Sequence, residues 1–462
     1  MQQFIDRQEE LRFLQVEYER PGSSMVILYG RRRVGKTALL TEFMKDKSGI
    51  YFLATQESET ENRNAFKEIV ADYLRNELLK TAVINDWHII FKTLAESSQK
   101  GKLMIVIDEF QYLGKTNPAF SSVFQKIWDT LLQDKEIMVV LCGSLISMME
   151  SQTLAYDSPL YGRRTGQIKL KQIDFPHYSD FFKSKSHKEL IEYYAVTGGV
   201  PKYIEQFQNE DNIYTAIQKH ILDKSSFLYE EPHFLLQNEV SEIGNYFSII
   251  KAIAAGNQKL SRIASYLEVK QTGLSKYLKT LIDLDILERQ VPITEEHPEK
   301  SKRGLYKIKD NFLNFWFKFV YPNLSFLERN QQSIVMLKIR QNFVDNHVAF
   351  VYEDVCLSTL WQMNNEGQWP FYFNKAGRWW DNQTEIDLVA YDSQGDNIIF
   401  GECKYHEQPI DVDVFYVLSK KAESVAWKKD QRRKWYILFS NNGFTDPLLT
   451  LAKKRDDIIL SE

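Results

Sequence analysis

A glycine-bordered loop between a short apolar run and a helix is the feature that most constrains this chain. Residues 25–29 are apolar, and the eight residues after them follow the pattern G-x-x-x-x-G-K-[ST]. Glycines let backbone N–H groups converge on phosphate oxygens, and the N-terminus of the next helix adds partial positive charge. The pattern predicts a buried strand, a phosphate-binding loop and a helix. The predicted nucleotide-binding residues are Gly30, Arg31, Arg32, Arg33, Val34, Gly35, Lys36, Thr37 and Ala38.

Two side chains of this loop have predicted roles of their own. Lys36 is expected to reach the β- and γ-phosphates of a nucleotide, and the Thr37 hydroxyl is expected to ligate Mg²⁺. The alternative is a glycine-capped strand–helix turn with a chance lysine. The apolar run before the loop and the helix after it favour the phosphate-binding interpretation.

Two further apolar runs support a parallel sheet around this loop. Residues 103–107 are apolar and lead into Asp108 and Glu109, and residues 137–142 lead into Gly143 and Ser144. Near-continuous apolar runs are typical of strands buried on both faces, and ligands of such sheets bind at the carboxyl ends of the strands. Asp108 is predicted to hold Mg²⁺ and Glu109 to polarise the attacking water.

A polar hairpin near the other end of the chain predicts a second site. Two β-rich segments flank residues 392–397, and residues two apart in a strand share a face. Glu402 and Lys404 therefore point the same way, and Asp387 can lie across from Glu402. Carboxylates suit Mg²⁺, and a lysine can orient water. This arrangement resembles the PD-(D/E)xK phosphodiesterase core. The alternative is a charged hairpin paired on a solvated face.

Composition limits the classes of protein that fit. A chain of 462 residues is too long for one hydrophobic core and suggests about three domains. The net charge of −4 gives no overall attraction to nucleic acid, so such binding would need local patches. Cys142, Cys356 and Cys403 are widely spaced and are expected to be reduced core residues. With no signal peptide and no long apolar run, we predict a cytoplasmic protein without a membrane segment.

The middle of the chain predicts a winged helix-turn-helix. Helices are expected at 246–255, 260–267 and 271–284, followed by a basic hairpin from 287 to 308. The lysines could grip DNA phosphates or could form the solvated face of a lid, and the sequence favours neither. An aromatic-rich helix at 312–321 is expected to be an interdomain core. The basic residues concerned are Lys270, Lys276, Lys279, Lys300, Lys302 and Arg303.

These parts together resemble the archaeal-type ATPases of the AAA+/STAND group. The resemblance rests on the segments 4–11, 29–37, 107–112, 158–166 and 197–203. The C-terminal part looks like the nuclease-like domain of unknown function often fused to them, marked by residues 377–380 and the hairpin. The proline–aspartate pair of the nuclease name is missing, since Glu385 and Ile386 precede Asp387.

The resemblance implies roles for further residues. Arg7 would lie near the base or ribose of the nucleotide, and Ser144 would be the polar sensor group. Arg163 or Arg164 would sense or stabilise the γ-phosphate, as arginine fingers do. In the nuclease-like part, Glu353 would add a metal-proximal carboxylate.

The predicted fold class is a multidomain α/β protein. It has a P-loop AAA+ core with a parallel sheet at 1–203 and a helical, winged-helix middle domain at 204–310. An aromatic helical connector follows at 311–343, and a C-terminal α/β domain resembling restriction endonucleases occupies 344–462.

The leading hypothesis for function is an ATP- and Mg²⁺-dependent ATPase coupled to a nuclease-like domain that cuts or grips DNA. One alternative is a signalling switch with a catalytically silent C-terminal domain. Another is a transcription regulator that acts through the winged helix. The oligomeric state is left open.

Overall fold

The phosphate-loop strand lies inside a five-stranded parallel sheet. In a computed structural model, which describes residues 4–97 and 101–462, all strand pairs of this sheet run parallel in the order β2-β3-β4-β1-β5. The strands β1, β3 and β4 are buried along their whole length, as their apolar sequences predict. The strands are β1 (Ser24–Tyr29), β2 (Gly49–Leu53), β3 (Leu103–Asp108), β4 (Ile137–Gly143) and β5 (Gly166–Lys169).

Helices connect these strands and cover the sheet. Helix α2 follows the phosphate loop, and its residues Leu39, Leu40 and Phe43 pack on Val106 and Val140 of the sheet. The helices are α1 (Gln8–Glu19), α2 (Lys36–Met44), α3 (Glu59–Leu74), α4 (Glu77–Thr81), α5 (Trp87–Ala95), α6 (Gln111–Thr116), α7 (Phe120–Ile127) and α8 (Ile146–Met149), with π-helical turns at Trp128–Leu132 and Glu150–Leu154.

The chain divides into two compact units. The first contains the residues up to Ile173 together with Val200–Lys202 and Gln237–Glu239, and the second contains Asp174–Gly199, Tyr203–Leu236 and Val240–Glu462. The ATPase core was expected to extend to residue 203. By their contacts, residues 174–199 group with the second unit, where their main helix, His187–Thr197, packs against the helices Asn311–Phe315 and Ala349–Asn365. The predicted end of the core at residue 203 stays a prediction. The finer division at 310 and 343 stays a prediction.

The second unit begins with a mostly helical region. The three predicted helices occur at nearly the expected places, as α14, α15 and α16, and an antiparallel pair of strands follows them. The strands are β6 (Leu287–Gln290) and β7 (Leu305–Ile308). The helices are α9 (Phe175–Tyr178), α10 (His187–Thr197), α11 (Pro201–Phe207), α12 (Ile213–Ile217), α13 (Glu231–Gln237), α14 (Ile243–Ala254), α15 (Leu260–Tyr266), α16 (Gln271–Asp283), α17 (Asn311–Phe315), α18 (Leu324–Glu328), α19 (Gln332–Phe343) and α20 (Ala349–Asn365).

The aromatic segment after β7 is buried within the second unit, and its predicted place between domains stays a prediction. Phe312, Phe315 and Phe317 are almost fully buried, and Trp316 packs edge-on against Phe247 of α14. The indole of Trp316 donates its N–H to the Tyr229 carbonyl at 2.9 Å. Aromatic groups that are buried and hydrogen-bonded in this way are not available to stack on bases.

A mixed five-stranded sheet completes the second unit, in the order β12-β11-β10-β9-β8. Strand β9 pairs antiparallel with both β8 and β10, whereas β10, β11 and β12 run parallel to one another. Helix α21 packs on this sheet through Phe415 and Leu418. The elements are β8 (Lys375–Trp380), β9 (Glu385–Tyr391), β10 (Asn397–Lys404), α21 (Val412–Ala422), β11 (Arg433–Ser440), α22 (Asp446–Lys453) and β12 (Ile458–Ser461).

The cysteines and the helices were both expected to be those of a protein without disulfides or membrane segments. All three cysteines are buried free thiols. Among the helices in the described part of the chain, none combines the length and the apolar character needed to cross a membrane.

Candidate functional site

The phosphate loop follows the end of β1 and is shaped by its two glycines. A Cβ atom on Gly30 would collide with the Leu170 carbonyl oxygen, so no other residue fits there without movement. Gly35 has a φ of 101°, in the left-handed region that glycine adopts without strain. Helix α2 starts at the next residue. The loop therefore presents the N-terminus of a packed helix at the carboxyl edge of the sheet.

Lys36 lies within the curve of this loop. Its ammonium group donates to the carbonyl oxygens of Gly30 at 2.8 Å and Arg31 at 2.9 Å. Burial lowers its pKa, and the nearby Glu109 and Asp108 carboxylates act in the opposite direction. The lysine is thus held in place near Asp108, the predicted Mg²⁺ ligand, and Glu109, the predicted catalytic carboxylate.

Asp108 ends β3 and meets the loop through Thr37. The Thr37 hydroxyl donates to Asp108 Oδ2 at 3.2 Å, and the Tyr51 hydroxyl of β2 donates to the same oxygen. Asp108 is buried, whereas Thr37 is exposed at the start of α2. A hydroxyl beside a carboxylate is a donor set that fits Mg²⁺, with Thr37 and Asp108 as the residues that would hold it.

Glu109 and Ser144 lie together at the carboxyl ends of neighbouring strands. The Ser144 hydroxyl donates to Glu109 Oε2 at 2.8 Å, and the Gln111 amide donates to the same oxygen. Glu109 is left-handed, with a φ of 54°. These bonds fix the carboxylate at the edge of the sheet where it can orient a water molecule.

Among the other predicted nucleotide contacts, Arg7 lies against the loop. Its guanidinium donates to the Val34 carbonyl at 3.1 Å and to the Lys171 carbonyl at 2.6 Å, and it pairs with Glu10. Arg32 reaches away to the Tyr112 hydroxyl at 2.8 Å. Arg7 therefore stabilises the loop through a hydrogen bond to the loop backbone, and its contact with a base or ribose stays a prediction.

Arg163 and Arg164 form hydrogen bonds elsewhere. Arg163 makes a two-pronged ion pair with Asp129, with both distances at 2.8 Å, and donates to the Pro159 carbonyl at 2.7 Å. Arg164 lies over the ring of Tyr161. The hydrogen bonds of the two arginines in the described chain involve their own loop and Asp129, so the structure does not bring them to the phosphate loop. Arg163 is held by Asp129, whereas Arg164 contacts only Tyr161 among the described residues and is the better candidate for a γ-phosphate contact.

The C-terminal hairpin has the predicted register. Strands β9 and β10 pair antiparallel with Leu388 opposite Gly401, which places Asp387 opposite Glu402. Asp387 Oδ2 accepts the Cys403 backbone N–H at 2.9 Å. Glu402 is buried and pairs with Lys404 at 2.7 Å. Strand periodicity therefore brings these three side chains together as expected.

Other cations occupy part of this carboxylate cluster. Lys421 of α21 pairs with Glu402 at 3.0 Å, and Arg378 of β8 pairs with Glu353 at 3.4 Å. Arg378 also pairs with Glu385. Within the described residues, no three histidine, cysteine, aspartate or glutamate side chains are grouped as a metal site. Glu353 interacts with the Asp387 carboxyl and forms an ion pair with Arg378, and its role as a metal-proximal carboxylate stays a prediction.

Two carboxyl groups of this cluster, Glu353 and Asp387, have raised pKa values because they are buried. Burial raises the pKa of Glu353 to about 7 and the pKa of Asp387 to about 6. The Asp387 carboxylate adds to the rise for Glu353, and the Glu402 carboxylate adds to the rise for Asp387. Arg378 opposes the rise in both. Asp387 and Glu402 still offer two oxygen donors that suit a hard cation, so the chemistry of a two-carboxylate site fits Mg²⁺.

The basic residues of the middle region differ in their surroundings. Lys270, Lys276 and Lys279 are exposed on or beside α16. Arg303 is paired with Glu295 at 2.7 Å, and Lys307 of β7 is paired with Asp354 at 2.6 Å. Basic residues of the hairpin thus form ion pairs within the second unit, whereas the lysines on or beside α16 are exposed. Whether either set binds DNA stays open.

Four contributing residues were not predicted from the sequence. Tyr51 lies on the edge strand β2, and Lys421 lies on a helix well after the hairpin, so neither is part of a motif. Gln111 follows Glu109 closely, and Arg378 lies in the segment that marks the C-terminal resemblance. Their sequence positions could have indicated Gln111 and Arg378, because Gln111 lies two residues after Glu109 and Arg378 lies in the segment 377–380.

Comparison with known proteins agrees with this architecture. Residues 4–207 match a family described as an ATPase domain predominantly from Archaea, and residues 316–424 match one described as archaeal and bacterial proteins of unknown function. The chain is 37% identical over 404 residues to an uncharacterised protein of Methanocaldococcus jannaschii, covering 87% of this chain and 88% of that protein. The chain therefore belongs to the family of archaeal-type P-loop ATPases that carry this C-terminal domain of unknown function.

Two further similarities concern parts of the chain. An uncharacterised ATP-binding protein of the same organism is 22% identical over 363 residues, 67% of this chain and 93% of the relative. A Walker-type ATPase of Pyrococcus abyssi has the same fold over 68% of this chain and 96% of its own, with a TM-score of 0.51 and 20% identity. At that identity the similarity concerns the fold alone.

Proposed function

We propose that the chain binds and hydrolyses ATP at the phosphate loop, with Mg²⁺ held by Thr37 and Asp108. The observation that carries the proposal is the set of hydrogen bonds from Thr37 to Asp108 and from Ser144 to Glu109, beside the loop lysine. Family membership and the ATP-binding relative support the nucleotide, and the donor chemistry supports the metal.

The roles of the side chains follow from their positions. Lys36 exchanges its two carbonyl partners for phosphate oxygens, which carry more charge and accept stronger hydrogen bonds. Mg²⁺, when bound, offsets the charge of the phosphates. Glu109 accepts a hydrogen bond from the attacking water and aligns it with the γ-phosphate, while Ser144 keeps the carboxylate oriented.

The proposal is tested by ATP turnover in Lys36→Ala. We expect weaker ATP binding and no hydrolysis, because the substitution removes the ammonium group that faces the β- and γ-phosphates. Lys45→Ala is the matched control, since Lys45 follows the same helix and pairs on the surface with Glu42. Equal turnover in the wild type and Lys36→Ala would overturn the assignment of this site.

As a second function, we propose that the C-terminal hairpin is a Mg²⁺-dependent nuclease-like site that acts on DNA. The register that pairs Asp387 with Glu402, with Lys404 beside them, supports this proposal. Asp387 and Glu402 would hold the cation, and Lys404 would orient water and offset charge on a phosphate. The exposed lysines of α16, in a winged helix, would hold the DNA backbone.

The main competing proposal is an ATP-dependent switch whose C-terminal domain is catalytically silent. Lys421 and Arg378 support it, because they already neutralise carboxylates of the cluster. A silent domain would keep these ion pairs for stability and would bind a partner without cutting it. Arg164, acting between copies of an oligomer, would fit either proposal.

A cleavage assay separates the two proposals. Purified protein with MgCl₂ or MnCl₂, with and without ATP, is incubated with single- and double-stranded DNA. For a nuclease we expect cleavage that Lys404→Ala abolishes while metal binding is retained, and that Asp387→Asn abolishes together with metal binding. Lys434→Ala is the control, because Lys434 pairs with Glu423 instead. No cleavage in any nucleotide state favours the silent domain.

A further inference from the structure

Tyr51 lies beside Asp108 on the same face of the first sheet. Strands β2 and β3 pair in parallel, with Tyr51 opposite Val106 and Leu53 opposite Asp108. Paired residues of parallel strands share a face, and so do residues two apart in one strand. The side chain of Tyr51 therefore extends across Val106 toward Asp108. Its ring packs on the apolar core beneath that face, and its hydroxyl donates to Asp108 Oδ2.

Among the described residues, three N–H and O–H groups donate to the Asp108 carboxylate, beside the Cys142 thiol. Oδ1 accepts the Glu109 backbone N–H at 2.9 Å, and Oδ2 accepts the hydroxyls of Thr37, at 3.2 Å, and Tyr51. Asp108 is only 3% exposed, so these bonds replace most of its hydration. Tyr51 belongs to neither phosphate-binding motif.

We propose that Tyr51 is a positioning residue of the ATP site, which fixes the Asp108 carboxylate for the divalent cation. The inference rests on the proposed binding of Mg²⁺-ATP by Thr37 and Asp108. Without the tyrosine hydroxyl the carboxylate loses one of its two hydroxyl donors and gains freedom to rotate. Cation binding weakens as a result, while the loop backbone and Lys36 still hold the phosphates.

The test is Tyr51→Phe, which keeps the ring and removes the hydroxyl. Binding of the non-hydrolysable ATP analogue AMP-PNP is measured by calorimetry at a series of MgCl₂ concentrations and again in EDTA. ATP turnover is measured over the same MgCl₂ series. We expect the MgCl₂ concentration for half-maximal effect to rise about tenfold, as one hydrogen bond to a charged group implies. Binding in EDTA is expected to stay within about twofold of the wild type.

Tyr18→Phe is the matched control. Tyr18 is also half-buried on the same core, and its hydroxyl donates to the Lys102 carbonyl at 2.9 Å, away from the loop. A merely structural loss of one tyrosine hydroxyl would lower the melting temperature of both variants and leave the MgCl₂ dependence unchanged.

The outcomes separate this inference from the proposed function. An unchanged MgCl₂ dependence in Tyr51→Phe, with normal Mg²⁺-ATP binding by the wild type, overturns the role of Tyr51 alone. A parallel loss of binding in EDTA also overturns it, because the tyrosine would then support the loop. Wild-type protein that binds AMP-PNP equally well with and without MgCl₂ overturns both proposals.

Discussion

At the scale of single residues, Glu109 is the residue that the proposed mechanism of hydrolysis assigns to the attacking water. Its side chain is held by Ser144 and Gln111, and its backbone is left-handed, a conformation that costs a residue with a Cβ about 1 kcal/mol or more. Two neighbours thus fix a strained residue at the carboxyl edge of the sheet. A strained residue held in this way is typical of a catalytic position.

Glu109→Gln is predicted to bind ATP normally and to lower turnover by roughly 10²-fold or more. The amide keeps the size of the side chain and can still bond to Ser144, but it no longer attracts the proton of the attacking water. Single-turnover hydrolysis measured beside ATP binding checks this prediction. A loss of ATP binding would instead show that Glu109 supports the loop structurally.

The residues that sequence could predict are those whose neighbours in space are also neighbours in the chain. Lys36 and Thr37 belong to one loop, and Asp108 and Glu109 follow one apolar strand, so spacing alone identified them. Tyr51 and Lys421 reach the sites from elements with no motif, and only the strand register and helix packing bring them there. The ion pair of Arg163 with Asp129 was not predicted, because Asp129 lies outside the motif that contains Arg163.

At the scale of elements, the hairpin β9–β10 was predicted from two β-rich segments on either side of a polar turn. The structure pairs Leu388 with Gly401, next to Asp387 and Glu402. The ion pairs around the hairpin were not predictable, because Arg378 and Lys421 come from a third strand and a helix. The position of a turn indicates which residues of a hairpin can pair, whereas the pairing of charges depends on packing between elements.

Helix α16 carries the proposed DNA contact. Lys276→Glu combined with Lys279→Glu is predicted to weaken DNA binding and to reduce the slope of log affinity against log salt by about two. Both side chains are exposed, so folding should be unaffected. Lys115→Glu with Lys135→Glu, exposed in the first unit, changes the net charge equally and serves as control. An unaltered slope in the α16 double variant would leave these lysines as a solvated face.

A buried histidine near α20 predicts acid sensitivity. His347 is buried among Phe315, Phe319 and Phe343, and its Nε2 donates to the Ala195 carbonyl at 2.6 Å. Its Nδ1 has no hydrogen-bond partner within the described structure. Burial lowers its pKa to about 3, against an ordinary value of 6.5.

The sign of the effect follows from that depressed pKa. Above about pH 6.5 both states are neutral, and as the pH falls only the unfolded chain takes up a proton, so stability is lost. Between pH 7.5 and pH 5 we expect this histidine to lower the free energy of unfolding by about 2 kcal/mol. Denaturant unfolding should show this decrease in the wild type and in His297→Phe, whose side chain is exposed between β6 and β7. The decrease should be absent in His347→Phe. Equal losses in all three proteins would contradict this assignment.

At the scale of the whole molecule, the nucleotide site and the hairpin site belong to different compact units. The sequence predicted a multidomain chain, with an end of the first core near the glycines at 198 and 199. In the structure, α9 and α10 pack against α20 of the second unit. Sequence indicates where a helix ends, whereas the unit to which the helix belongs depends on the core that it covers.

This division predicts that two ligands stabilise the protein independently. ATP with MgCl₂ should raise the melting temperature of the wild type, and MnCl₂ alone should raise it through Asp387 and Glu402. Each ligand at about 100 times its Kd should add roughly 5–10 °C to the transition of the unit that binds it. Lys36→Ala should abolish only the ATP effect and Asp387→Asn only the MnCl₂ effect, both measured by calorimetry.

Each variant is the control for the other, since both remove one charged group from a partly enclosed site. If MnCl₂ alone leaves the wild-type transitions unchanged, the second unit holds no divalent cation and the silent-domain proposal replaces the nuclease. If Asp387→Asn also abolishes the ATP effect, ligand binding in one unit depends on charge in the other, and the independence of the two sites is wrong. Because Lys421 and Arg378 already neutralise carboxylates of the cluster, we expect the MnCl₂ effect to need millimolar metal, whereas the ATP effect needs no such excess.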